Sequence, residues 1–95
     1  MKIAIYYQKS EKETSELAVS RINKLIQLLE VHHIIKGVFI DRHNEGIELM
    51  ELLNSPVSEL DYIYINKPLE NDFDRELVKQ LVKTEHFEIK YFNEI

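Results

Sequence analysis

Ninety-five residues with a net charge of −5, 44% apolar residues, two glycines, two prolines and no cysteine describe one domain, residues 1–95, able to bury a single core. Without cysteine there are no disulfides or thiolate metal sites, no apolar run approaches the roughly 18 residues of a membrane span, and the N-terminus lacks the layout of a signal peptide, so a cytoplasmic protein without membrane contact is expected. The charge is unevenly spread: residues 1–36 carry six basic and four acidic groups (net +2), residues 37–95 six basic and thirteen acidic (net −7), and because nucleic-acid affinity is in large part phosphate neutralisation by Lys and Arg, weak or no DNA binding by this chain alone is expected.

In chain order, Lys2 to Tyr7 (KIAIYY) is a short β-branched and aromatic run and reads as a buried strand. Over residues 11–30, Leu17, Ala18, Ile22, Leu25, Ile26 and Leu29 recur at three and four, predicting an amphipathic helix with Glu16, Lys24 and Gln27 on its wet side. Val38-Phe39-Ile40 follows Gly37 as a second strand, and Asp41 to Gly46 is a polar loop. Ile47 to Leu53 predicts a short helix, stopped by Asn54-Ser55-Pro56 because proline cannot continue the helical ladder.

Tyr62-Ile63-Tyr64-Ile65 is a third strand. Asn71 or Asp72 can cap a third helix on which Phe73, Leu77, Val78, Leu81 and Val82 share a face. The last strand, Phe87 to Phe92, alternates apolar and charged residues, the pattern of an edge strand or of one with a wet face. Strands alternating with helices predict a three-layer α/β fold: a mainly parallel four-stranded sheet with helices on both faces, its first and third strands central. Functional groups in such sheets gather at the carboxyl ends of the strands, here Tyr7 to Ser10, Asp41 to Glu45 and Asn66 to Glu70.

Several residues invite a chemical reading beside a structural one. Ser10-Glu11-Lys12-Glu13 is a Ser-x-x-Glu capping box, which makes Ser10 the expected N-cap of the first helix. His32, His33 and His43 lack metal-ligand spacing, since adjacent histidines on a helix diverge by about 100°, and they read as solvent-facing residues. Asp41 and Glu45 could hold Mg²⁺ only with further oxygen ligands, and Gln8 and Lys9 occupy the place of the acidic pair used in receiver-type folds. Gly46 belongs to no phosphate-binding glycine pattern. Tyr6, Tyr7, Tyr62 and Tyr64, at strand spacing, read as sheet core and rim in preference to a base-stacking platform. No cofactor and no metal are expected.

The segment IAIYYQKS (residues 3–10) resembles the opening of the serine recombinase (resolvase and invertase) catalytic domain, in which a first strand runs into a Tyr-x-Arg-x-Ser motif presenting the nucleophilic serine. Tyr6 and Ser10 fill the outer positions, and Gln8 stands where the catalytic arginine is expected. GVFIDRHNEG is similar to the family's second strand and Asp-containing loop, and DYIYINKPLEND to the strand leading into its Leu-Asp-Arg-Leu-x-Arg signature. Aligned without gaps, Lys67 is the surviving basic residue, with Leu69, Glu70 and Phe73 at the aspartate and the two arginines; a five-residue slip places Asp74-Arg75 on the Asp-Arg pair but leaves Val78 at the second arginine. The resemblance implies a resolvase-like fold with Ser10 at the nucleophile position and Tyr6, Gln8 and Lys67 beside it. It also implies a continuation, in family members, into a long helix with dimer and DNA contacts; the sequence ends after its fourth strand, so those contacts are expected to be missing.

Serine attack on a phosphodiester builds negative charge that preorganised cations must stabilise, and losing one such donor costs on the order of a hundredfold in rate. The expectation is therefore a catalytically degenerate domain acting through protein contacts, as a regulator, decoy or remnant linked to recombination or a mobile element. Its expected partner is a protein, either a second copy or a full-length recombinase. Two other readings stay open: a small α/β adaptor unrelated to recombination, and an active recombinase using Ser10.

Overall fold

Why the strands assemble as they do follows from which of them are apolar on both sides. In the computed structural model, which describes residues 1–91, β1 (Lys2–Gln8), β2 (Ile34–Asp41), β3 (Tyr62–Ile65) and β4 (Glu88–Tyr91) form one sheet in the order β2-β1-β3-β4, every pair parallel. The two strands with unbroken apolar runs, β1 and β3, are central, as expected, because only residues apolar on both faces can be covered from both sides. β2, whose residues alternate in exposure, and β4, none of whose residues is fully buried, form the edges.

The pleat divides β1 between two cores. Ile3, Ile5 and Tyr7 face α1 (Ser15–Leu29) and pack with Ala18, Ile22, Leu25 and Leu29. Ala4 and Tyr6 face the opposite layer, where α2 (Ile47–Asn54), a 3-10 turn (Val57–Glu59) and α3 (Asp72–Glu85) cover Ile63 and Ile65. Leu49 and Leu52 of α2 and Phe87 ahead of β4 are among the most buried side chains of that second core. Along β2 the register with β1 slips between Ile3 and Ala4, which pair with Ile35 and Gly37, so Lys36 is the extra residue of a bulge. The Phe39 ring lies over Gly37, where an added Cβ would approach it to 2.9 Å.

Local physics moves several boundaries from their expected places. α1 starts at Ser15, because Thr14, and not Ser10, is its N-cap: Thr14 has extended backbone and its hydroxyl accepts from the Leu17 amide at 3.1 Å. Half of the expected capping box exists, since Glu13 Oε1 accepts from the Ser10 amide at 3.0 Å, but it closes a turn over residues 10–13, ahead of the helix. β2 starts at Ile34, four residues earlier than expected, because Ile34 and Ile35 already pair with Lys2 and Ile3. Asn71 caps α3.

Leu17 and Phe73 leave the apolar faces assigned to them and are exposed, Phe73 at 71%. His33 is half-buried and not solvent-facing: its ring lies edge-on to Tyr62 with centroids 6.1 Å apart and tilted against Tyr64 at 6.3 Å. The expected extension of the last strand to Phe92 lies outside the described residues.

Replacing Thr14 by Ala should lower stability by about 0.5–2 kcal/mol, because the Leu17 amide loses its acceptor. Replacing the exposed Ser10 by Ala should stay within about 0.5 kcal/mol. Thermal or urea melts of the two variants measure the difference directly.

Candidate functional site

The carboxyl ends of β1, β2 and β3 meet around one buried carboxylate. Parallel pairing sets Tyr6 opposite Phe39 and Gln8 opposite Asp41, so alternation places Tyr6, Gln8 and Asp41 on the same face of the sheet. Asp41 is 3% exposed and fully engaged. Its Oδ2 accepts from the Tyr6 hydroxyl at 2.7 Å and from the Leu49 amide at 3.0 Å, and its Oδ1 accepts from the Glu48 amide at 2.9 Å. The last two donors are free amides of the first turn of α2, whose dipole favours a negative charge at that end. Asp41 is therefore a structural cap and not an available metal ligand.

Burial, first, and then the hydrogen bond to Asp41 and the charges of Asp41 and Asp74 push the Tyr6 phenol far above the ordinary tyrosine range. Tyr6 stays a protonated donor across all ordinary conditions.

Gln8 is held from three directions. Asn66, just past β3, pairs with its backbone through two 2.9 Å hydrogen bonds, accepting from the Gln8 amide and donating to its carbonyl. That side chain continues the β1–β3 ladder beyond the last residue of β3. The Gln8 carboxamide donates to the Glu45 carbonyl at 3.1 Å, and so ties β1 to the loop that precedes α2.

Between that loop and the start of α3 lies a cleft of about 520 Å³ with Tyr6 and Gln8 in its lining. Its charged lining residues are Glu45, Glu70 and Asp74, and no Lys or Arg is among them. Asn44, in the left-handed region at φ 61°, and Gly46 shape one side. An added Cβ on Gly46 would come within 3.4 Å of Asp74 Oδ2. Among the described residues no group of three His, Cys, Asp or Glu side chains is arranged to hold a metal ion.

On the α1 side of the same strand, Tyr7 donates a short hydrogen bond to Glu13 Oε2, which also accepts from Arg21 at 2.8 Å. Burial raises the Tyr7 phenol above its usual range. For Glu13, burial alone would raise the carboxyl, but the bonds from Tyr7, the Ser10 amide and Arg21 outweigh it and hold the group below the carboxylate range. This cluster anchors the 10–13 turn, and with it Ser10, to β1 and α1.

Of the residues singled out from sequence, Tyr6 and Gln8 come together in the cleft, whereas Ser10 and Lys67 are not in its lining. Lys9 leaves the strand on the opposite side from Gln8, where its ammonium donates to Ser15 Oγ at 2.9 Å. Asn66 was not foreseen as a clamp; its place immediately after an apolar strand at the functional end is the one signal that could have marked it. Of the four tyrosines singled out from sequence, Tyr6, Tyr7 and Tyr64 are core residues and Tyr62 is half-buried.

Comparison with known proteins supports the fold. The chain aligns with the C-terminal catalytic domain of ISC1926 TnpA, an IS607-like serine recombinase, with a TM-score of 0.77 at 20% identity, over 96% of this chain and 68% of that one. No family model matches the sequence, and no curated protein does. The structural class is thus α/β with an all-parallel four-stranded sheet among the described residues. Within that class, the fold is that of the serine recombinase catalytic domain. No helix among the described residues is long and apolar enough to cross a membrane.

Tyr6→Phe should cost about 1.5–3 kcal/mol, the range for a hydrogen bond to a charged group, and Asp41→Ala more, since it leaves three donors without their acceptor. The raised Tyr6 pKa gives a pH signature. Its stabilisation is complete below the unfolded tyrosine value of about 10 and is lost as pH rises beyond it, because the unfolded chain can then release the proton. Urea melts across the alkaline range should show stability falling with pH, and the fall should be shallower in Tyr6→Phe.

Proposed function

We propose that this chain is a serine-recombinase-like cytoplasmic domain that does not perform strand exchange and works through protein contacts. In that reading it is a regulator, decoy subunit or remnant linked to DNA recombination or a mobile element, and it associates with a second copy or a full-length recombinase. One observation carries the reading: the cleft at the strand ends, where phosphoryl-transfer groups of this fold would converge, is lined by Glu45, Glu70 and Asp74 and by no cation.

The chemistry runs against catalysis there. A scissile phosphate already bears a negative charge, and attack by a serine hydroxyl spreads more onto its non-bridging oxygens. Three carboxylates repel both states. The Gln8 carboxamide is a neutral donor already engaged with the Glu45 carbonyl, so it supplies no compensating charge. Ser10 sits on an exposed turn outside the cleft lining, with Lys9 directed to Ser15. The fold shared with a recombinase catalytic domain makes recombination the relevant setting, and the electrostatics of the cleft argue for loss of the reaction.

The test uses nicked or suicide duplexes that trap a covalent 5′-phosphoserine. Wild-type protein should give no adduct, whereas an adduct band that vanishes in Ser10→Ala would overturn the reading. In gel-shift assays at physiological salt, duplex binding should be weak, salt-sensitive and without sequence preference. Submicromolar binding under those conditions would contradict it.

A further inference from the structure

Across Leu69 from the acidic cleft lies a second concavity of opposite character. It is a groove of about 570 Å³ between α3 and the outer strand β4, with Val78 and Val82 on one wall and Ile89 and Tyr91 on the other. Its charged lining residues are all basic: Arg75, Lys79 and Lys83. They recur every four residues, so they stand in one row along a flank of α3, over about 12 Å. Residues 37–95 contain six basic groups against thirteen acidic ones, and half of the six stand in this row. Leu69 lines both concavities, so charges of opposite sign are sorted onto the two sides of one residue.

We propose that this groove docks an amphipathic helix of a protein partner, with its apolar face against Val78, Val82, Ile89 and Tyr91 and an acidic flank along Arg75, Lys79 and Lys83. An apolar groove with a charged rim on one side is the form that helix-in-groove recognition takes: the apolar walls supply affinity and the row of charges sets orientation. Carboxylates at every fourth position of the incoming helix would match the spacing of the cations. The row is open to exchange. Arg75 pairs with Asp72 and Lys79 lies 3.5 Å from Glu76, both exposed pairs of the weak kind, and Lys83 has no ion pair among the described residues.

A membrane surface fits less well, because lipid-binding clusters usually need four to eight basic residues and this row has three. A nucleic acid would meet apolar walls beside the acidic cleft. The inference deepens the reading of the domain as one that works through protein contact, and it rests on that reading. The adduct assay interrogates the strand ends and the test below interrogates the groove, so either can fail alone.

The probe is a synthetic helical peptide with leucine on one face and glutamate on the adjoining flank, titrated into ¹⁵N-labelled protein, beside a twin carrying lysine for every glutamate. Amide shifts should localise to α3 and β4, and the lysine twin should bind at least roughly tenfold more weakly. The double variant Lys79→Glu/Lys83→Glu, at two exposed positions and checked for an unchanged melting temperature, should lose at least roughly tenfold in affinity, whereas Lys24→Glu on α1 should leave it unchanged. Binding should weaken as salt rises.

Equal binding of the lysine twin, shifts centred away from α3 and β4, or no binding at about 1 mM peptide would overturn the proposal. A concentration-dependent dimer in sedimentation that the double reversal abolishes would also overturn it, by giving the groove to a second copy of the chain.

Discussion

The geometry of the functional end depends on the buried Asp41 carboxylate. Taking a charged group out of water is costly unless donors replace the water, and here a phenol and two helix-end amides do so. The donors come from two places: Tyr6 from the central strand β1, and Glu48 and Leu49 from the start of α2. One side chain therefore decides how close α2 stands to the end of β1. It also fixes the loop over residues 42–46, whose Glu45 carbonyl receives the Gln8 carboxamide. The Asn66 clamp does the equivalent job on the β3 side. Both walls of the cleft are thus tied to Gln8 by main-chain and side-chain bonds.

This arrangement separates scaffold from chemistry. The interactions that hold the strand ends in register are satisfied, whereas the charged residues lining the cleft are all acidic. A carboxylate lining favours cationic visitors and disfavours phosphates. The basic row on α3 lies outside the cleft, where it cannot neutralise charge at the strand ends. Fold likeness alone therefore does not establish chemistry in a domain built on a widely used fold.

Element order and sheet centrality were legible in the residues because they follow from period and burial: Ile3 to Tyr7 and YIYI have no charged positions to turn outward, and the last strand does. Boundaries set by competition between neighbours were not. Ser10 and Thr14 both have an acceptor and a residue to serve, and Thr14 wins because the Ser10–Glu13 turn spends that capping box before the helix begins. Phe73 obeys the helical period of α3 yet sits in its first turn, beyond the reach of the core, where it rims the cleft. At the site, Tyr6 and Gln8 were found through a motif resemblance. The role of Asp41 depended on the β1–β2 register, and Asn66 on the β1–β3 pairing, neither of which a single strand announces.

A sheet in which every neighbour is parallel has a cost in time as well as in contacts. β1 lies at the centre, yet its β3 partner follows some sixty residues later in the chain, with Ile3 paired to Tyr62. During synthesis the central strand β1 is therefore made well before the strand that shields its second edge. Non-local pairing of this kind is slow to form, and an unpaired β-branched and aromatic run such as Ile3 to Tyr7, which has no charge of its own, is prone to pair with copies of itself in the interval. The cell that makes this protein must carry KIAIYY safely through that wait, so yield and chaperone demand should depend on how fast residues 60–65 follow.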